Sequence, residues 1–267
     1  MLKQRLLTAA VLIPLLLAGM FLLSGFWWHL VLLVPLSIAA HEWARLASFS
    51  RSGEVMFVLA LLTAVALVWW FVDACAMQPL RADTPARICF ALSIAFWVVI
   101  APCWLWLGIV VRNRIFLAGV GIAVLLPTWL ALGQLQREPL LLLFLLAVVW
   151  IADTAAYFFG KQFGRVKLAP KISPGKTWEG VAGALLTVAV YALILHFTQM
   201  KERDGTFIIT AFLSMAIFSI AGDLFESWLK RCAGVKDSGS VLPGHGGMLD
   251  RIDGVMAALP LGALIFL

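Results

Sequence analysis

Asp250 and Asp253 stand three residues apart with Arg251 between them, so on a helix the two carboxylates share one face. Paired oxygens of this kind suit Mg2+, which takes one or two carboxylates and leaves its other positions to water and substrate phosphates. Upstream, Asp223, Ser227 and Lys230 fall at i, i+4 and i+7, one stripe of a helix. Asp223 therefore sits about two turns deeper in an apolar stretch than Lys230. A carboxylate at that depth is costly and marks a functional site with a partner. A metal ion shared with Asp250 or Asp253 would offset the cost; the alternative is an Asp–Lys or Asp–Arg pair that holds helices together. Lys230, Arg231 and Lys236 supply positive charge for phosphate. Gly244, Gly246 and Gly247 let backbone N–H groups approach an anion closely.

A second constellation runs from Asp153, again a carboxylate within an apolar stretch, through Tyr157, Gly160 and Lys161 to Lys171-Ile-Ser173-Pro174-Gly175-Lys176-Thr177-Trp178-Glu179-Gly180. Ser173-Pro174 reads as an N-cap followed by proline at the first helical position. A helix start there would aim free N–H groups at an anion, with Lys176 and Thr177 in its first turn. The Gly-Lys-Thr triplet is not a Walker loop, because Pro170 occupies the place of the first glycine and no soluble strand precedes it. His41, Glu42 and Arg45 form a third group, in which Glu42 and Arg45 either pair at i, i+3 or wall a headgroup pocket.

The elements that position these groups must be membrane helices. Of 267 residues 63% are hydrophobic and 13% charged, against about 25% charged in a soluble domain. That surplus of apolar surface cannot be hidden in one aqueous core. Nine stretches are apolar enough to be candidate spans: 6–23, 27–47, 55–76, 88–111, 115–133, 139–160, 178–198, 206–229 and 252–267. The N-terminus resembles a signal peptide, yet no clean cleavage motif ends it, and we read it as a retained first span. With the N-terminus inside, 15 of the 20 Lys and Arg residues fall on the inner side and 5 outside, which sets the orientation. The net charge of +6 thus reflects topology and anionic headgroups or phosphates, and nucleic acid is not an expected partner. The 4 cysteines show neither metal-site nor disulfide spacing. The Trp27-Trp28 and Trp69-Trp70 pairs read as interface anchors, and His29 and His196 as ordinary interface residues. Two inner connections, about 160–178 and 230–250, are long and rich in Gly, Pro and charge, as functional loops are. The expectation is a single all-α, polytopic integral membrane domain over 1–267. Its N-terminal helices cover about 1–135, and its catalytic helices and loops about 136–267.

The segment Ser227-x-x-Lys230-Arg231-x-x-x-x-Lys236-Asp237-x-Gly239-x-x-Leu242-Pro243-x-His245-Gly246-Gly247-x-x-Asp250-Arg251-x-Asp253 resembles, at every fixed position over 27 residues, the signature of the phosphatidate cytidylyltransferases, or CDP-diacylglycerol synthases. The Asp153–Gly160 and Ser173–Gly180 stretches are similar to that family as well. Two positions depart from its pattern, Ala155 where Gly is common and Gly254 where Ser is common, and neither replaces a charged group.

The resemblance implies an all-helical polytopic fold, a homodimer, a requirement for Mg2+ at Asp223, Asp250 and Asp253, and a monovalent cation such as K+ nearby. It implies transfer of CMP from CTP to phosphatidate at the cytoplasmic face of a bacterial-type inner membrane. Asp223, Asp250, Asp253, Lys230 and Arg251 would carry the reaction. Asp153, Lys161, Ser173, Lys176, Thr177, Ser227, Arg231, Lys236, Asp237, His245, Gly246 and Gly247 would contact substrate. The nearest rival is a CTP-dependent kinase of a lipid alcohol such as a polyprenol. A transporter is the farther one, and the crowding of ionisable groups into the C-terminal half argues against it.

Overall fold

A chain in lipid must satisfy its backbone hydrogen bonds internally, so each apolar stretch closes into a helix. The computed structural model describes residues 2–76, 84–244 and 246–267. Among these the helices are α1 (Leu2–Leu22), α2 (Gly25–Leu46), α3 (Arg51–Ala76), α4 (Thr84–Ala95), α5 (Ala101–Leu107), α6 (Arg114–Leu135), α7 (Pro139–Phe163), α8 (Trp178–Thr198), α9 (Gly205–Cys232) and α10 (Leu249–Phe266). One π-helical turn, Phe96–Ile100, joins α4 to α5, so the pair makes one rod over the stretch expected at 88–111. Six of the rods, α3, α4 with α5, α6, α7, α8 and α9, are long and apolar enough to cross a membrane. The protein is a multi-pass helical membrane protein.

Side-chain caps start several of the helices. Asn113, Thr177 and Asp204 accept from the N–H groups of Phe116, Gly180 and Phe207 at 3.1, 3.2 and 3.0 Å. Thr177 corrects the reading of Ser173-Pro174 as a helix start. Ser173–Thr177 is a strand, β2, paired antiparallel with β1 (Lys167–Ala169), and the helix begins at Trp178. Phosphate-facing N–H groups of a helix first turn are therefore not available at Lys176. The hairpin is tied to α8 by Trp178 N donating to Val166 O at 3.0 Å and by the Glu179 carboxylate accepting from Val166 N at 3.2 Å.

The helices that carry the acidic residues, α7, α8, α9 and α10, pack on one another, and α10 also lies against α6. Small residues bring α9 and α10 together, as at helix interfaces in membranes. Gly222 lies against the Asp253 carbonyl and Ala257, Gly254 against Ser219 Oγ, and Gly262 against Met215. A Cβ at Gly222 would overlap the Asp253 carbonyl. Gly222→Ala should therefore push the two helices apart, at about 1–3 kcal/mol of overpacking, and lower turnover by at least about tenfold. Initial rates and thermal unfolding of the purified variant check both effects.

The tryptophan pairs divide their work. Trp27 and Trp70 are exposed, as anchors should be, but Trp28 is buried and donates to Leu132 O at 2.9 Å. Trp69 stacks on His29, ring centroids 5.0 Å apart. His29 is itself buried, with Nδ1 2.6 Å from Gly25 O, so it is a packing residue rather than an interface one.

Candidate active site

A cavity of about 590 Å3 opens between α7, the β1–β2 hairpin, α8 and α9. Asp153, Lys161, Ser173, Lys176, Thr177 and Asp223 all line it, so two constellations well apart in sequence meet in one space. Lys176 Nζ lies 2.6 Å from Asp223 Oδ2, and Ser227 Oγ donates to Asp223 Oδ1 at 3.2 Å, the i, i+4 contact that the helix stripe requires. The charges of Asp153, Asp223 and Lys176 act on Asp253, and those of Asp223, Lys176 and Arg251 act on Asp153. Ser219 Oγ reaches Asp153 Oδ1 at 3.5 Å. Three carboxylates from α7, α9 and α10 thus form one electrostatic cluster with a lysine of the hairpin among them.

Asp250 is engaged elsewhere. Its Oδ1 accepts from Lys230 Nζ at 2.7 Å, and its Oδ2 accepts from Ser238 N at 3.0 Å, Ser238 Oγ at 3.0 Å and Gly247 N at 2.7 Å. Lys230 pairs in turn with Glu226, four residues before it on α9. This triad is nearly dry: the side chains of Lys230, Asp250 and Glu226 are 11%, 6% and 1% exposed. The carboxylate of Asp250 thereby fastens the 233–248 loop to α9, and to join a cation beside Asp223 it would have to release Lys230 or the loop.

The remaining candidates sit around these two centres. Arg231 Nε donates to Ile172 O at 3.2 Å and its Nη1 to Val235 O at 3.3 Å, so it ties the hairpin to the loop. Lys161 lies 5.8 Å from the Tyr157 ring at the cavity wall. Lys236, Asp237 and Arg251 are exposed. Gly246 adopts φ +83, which only glycine takes up without strain, and its carbonyl accepts from Leu242 N at 3.0 Å. Gly247 lies under Ser238 Oγ and the Glu42 carboxylate. His245 lies outside the described residues.

Two acidic groups have partners that the sequence reading did not assign. Glu226 could have been found from the i, i+4 rule, since it precedes Lys230 by four. Glu42 could not, because the groups it meets, Ser238, Met248 and Leu249, are about two hundred residues away. Neither reading of Glu42 from local spacing describes it, since its carboxylate turns to the loop.

For a divalent ion, the donor chemistry fits. The cluster offers carboxylate oxygens, and a cationic group, the Lys176 ammonium, already sits against one of them. Among the described residues no three acidic, His or Cys side chains close into a ready-made cage. Mg2+ needs none, because it keeps waters and substrate phosphates in its shell.

Basic side chains, an acidic cluster and a cavity at the ends of membrane helices define a membrane enzyme acting on a phosphorylated substrate. The model of the cytidylyltransferase family matches residues 3–267, and the chain belongs to that family. A phosphatidate cytidylyltransferase of Pseudomonas aeruginosa is 37% identical, with 99% of this chain and 97% of that protein aligned. One of Haemophilus influenzae is 35% identical over 97% of this chain and 96% of its own length. One of Thermotoga maritima is 43% identical over 46% of this chain and 48% of that protein.

Proposed function

We propose that the protein transfers CMP from CTP to phosphatidate, giving CDP-diacylglycerol and pyrophosphate. Family membership supports this reading, and so does the full-length likeness to relatives named for the activity. The structural observation that carries it is the meeting of Asp153, Asp223 and Lys176 at a cavity of about 590 Å3, with the charge of Asp253 acting on the same cluster, which suits a polyanion with its counter-ion.

The nucleophile is a phosphate oxygen of phosphatidate, already anionic, so no strong general base is required. It forms a bond to the α-phosphorus of CTP as the bond to pyrophosphate breaks and pyrophosphate leaves. Catalysis of this kind is positioning and charge stabilisation. Asp223 and Asp253 would hold Mg2+, with Asp153 beside them and Asp250 on the same first turns of α10, and a monovalent cation such as K+ would complete the charge balance. When bound, the divalent ion neutralises charge on the triphosphate. Lys176 leaves Asp223 to pair with phosphate, and Lys161 follows from the cavity wall. Arg251, Arg231 and Lys236 screen the two polyanions from each other. Ser173, Thr177, Ser227 and Asp237 border the substrate, with Gly246 and Gly247 on the loop side, and His245 is a further substrate-binding residue.

The enzyme crosses the membrane nine times with its N-terminus in the cytoplasm, as a homodimer in a bacterial-type inner membrane, with its site at the cytoplasmic face. Nine rods among the described residues, lying over the nine apolar stretches, and the Lys and Arg asymmetry support that topology. Purified protein in detergent, given phosphatidate, Mg2+ and CTP labelled separately in cytidine or in the γ-phosphate, tests the function. Cytidine label should enter the lipid. Transfer of the γ-phosphate alone would make the protein a CTP-dependent lipid kinase instead.

A further inference from the structure

Glu42 is 1% exposed and belongs to α2, in the half of the chain that contributes nothing to the acidic cluster. A buried carboxylate needs donors, and Glu42 has three. Ser238 Oγ donates to it at 3.1 Å, Met248 N at 3.0 Å and Leu249 N at 2.8 Å. The last two N–H groups open α10, where Met248 at the N-cap offers no side-chain acceptor. Glu42 thus does from another helix what an N-cap residue does locally, and its charge complements the helix dipole. Ser238 Oγ also lies 3.0 Å from Asp250 Oδ2, so its single O–H proton is shared between two carboxylates that flank one loop residue. Gly239 and Gly247 both lie so close to Glu42 that a Cβ at either would overlap the carboxylate.

We infer that Glu42 is the positioning residue for α10. It fixes the start of the helix that carries Asp250, Arg251 and Asp253, and through Gly222 and Gly254 the placement of Asp253 beside Asp223. The N-terminal half is then part of the catalytic device and not only a membrane anchor. This inference rests on the acidic cluster being the site of transfer, and its test keeps the two apart.

Glu42→Gln keeps the volume but turns one acceptor oxygen into an amide that faces N–H donors. We expect kcat to fall by about 30-fold while KM for phosphatidate stays unchanged, and the Mg2+ activation midpoint to rise. Glu42→Asp, which retains both acceptors, should recover part of kcat. A second readout needs no turnover: tryptic cleavage after Lys236 in detergent should accelerate in Glu42→Gln, because the loop loses its hold. Wild-type kcat, Mg2+ midpoint and cleavage rate in Glu42→Gln would overturn the inference. So would a loss of activity matched by a loss of thermal stability with cleavage at Lys236 unaltered. If wild-type protein puts no cytidine into lipid, the functional reading fails instead, and the proteolysis still decides the clamp.

Discussion

Asp223→Asn should purify as a folded protein and turn over at least about a thousandfold more slowly than wild type. The substitution preserves volume and can still accept the hydrogen bond from Ser227 Oγ, so α9 keeps its local geometry. What it removes is the negative charge that faces Lys176 at 2.6 Å and acts on Asp153 and Asp253. With that charge gone the cluster loses its attraction for a divalent ion, and Lys176 loses the partner that holds it in the cavity. Pyrophosphate release from CTP, Mg2+ and phosphatidate measures the rate, and elution as a single species in detergent checks the fold. Near-normal turnover would remove the metal assignment, whatever the other carboxylates do.

Lys230→Met should show its effect in stability before activity. Lys230 lies between Glu226 and Asp250, and the three side chains are almost out of contact with solvent. Methionine fills the same space but leaves two carboxylates buried together with no cation between them. Breaking a buried pair by deleting one partner costs about 3–5 kcal/mol, because the remaining charge is uncompensated. Thermal unfolding in detergent should reveal a large drop in midpoint, and Lys230→Met combined with Glu226→Gln should recover part of it. If the single variant melts with wild type, the triad contributes no structural hold and Lys230 is free to serve substrate alone.

The rods were legible in the sequence because hydropathy alone dictates them. The stretch 178–198 coincides with α8, and 206–229 lies within α9. Hydropathy was silent on backbone shape, so the π turn at Phe96–Ile100 went unread. The hairpin was hidden by Ser173-Pro174-Gly175, whose residue types serve a helix cap and a strand end equally well. In the site, Asp223 with Ser227 follows helix periodicity and could be read directly. The partnership of Asp153 with Asp223 and Asp253 depends on how α7, α9 and α10 pack, which no local spacing encodes. Asp250 shows the same limit from the other side. Its three-residue spacing from Asp253 suggested a shared ion, whereas Ser238, Gly247 and Lys230 supply it with donors in the folded chain.

Two glycines of the 233–248 loop bear on how this chain can change over generations. Gly247 belongs to the glycines that resemble a phosphate cradle in sequence, yet it and Gly239 both lie against the side chain of Glu42 with no room for a methyl group. A bulkier residue at position 239 calls for a shorter one at position 42, and one at position 247 calls for a smaller residue at 238 as well, so the mutational history of α2 is chained to that of a distant loop.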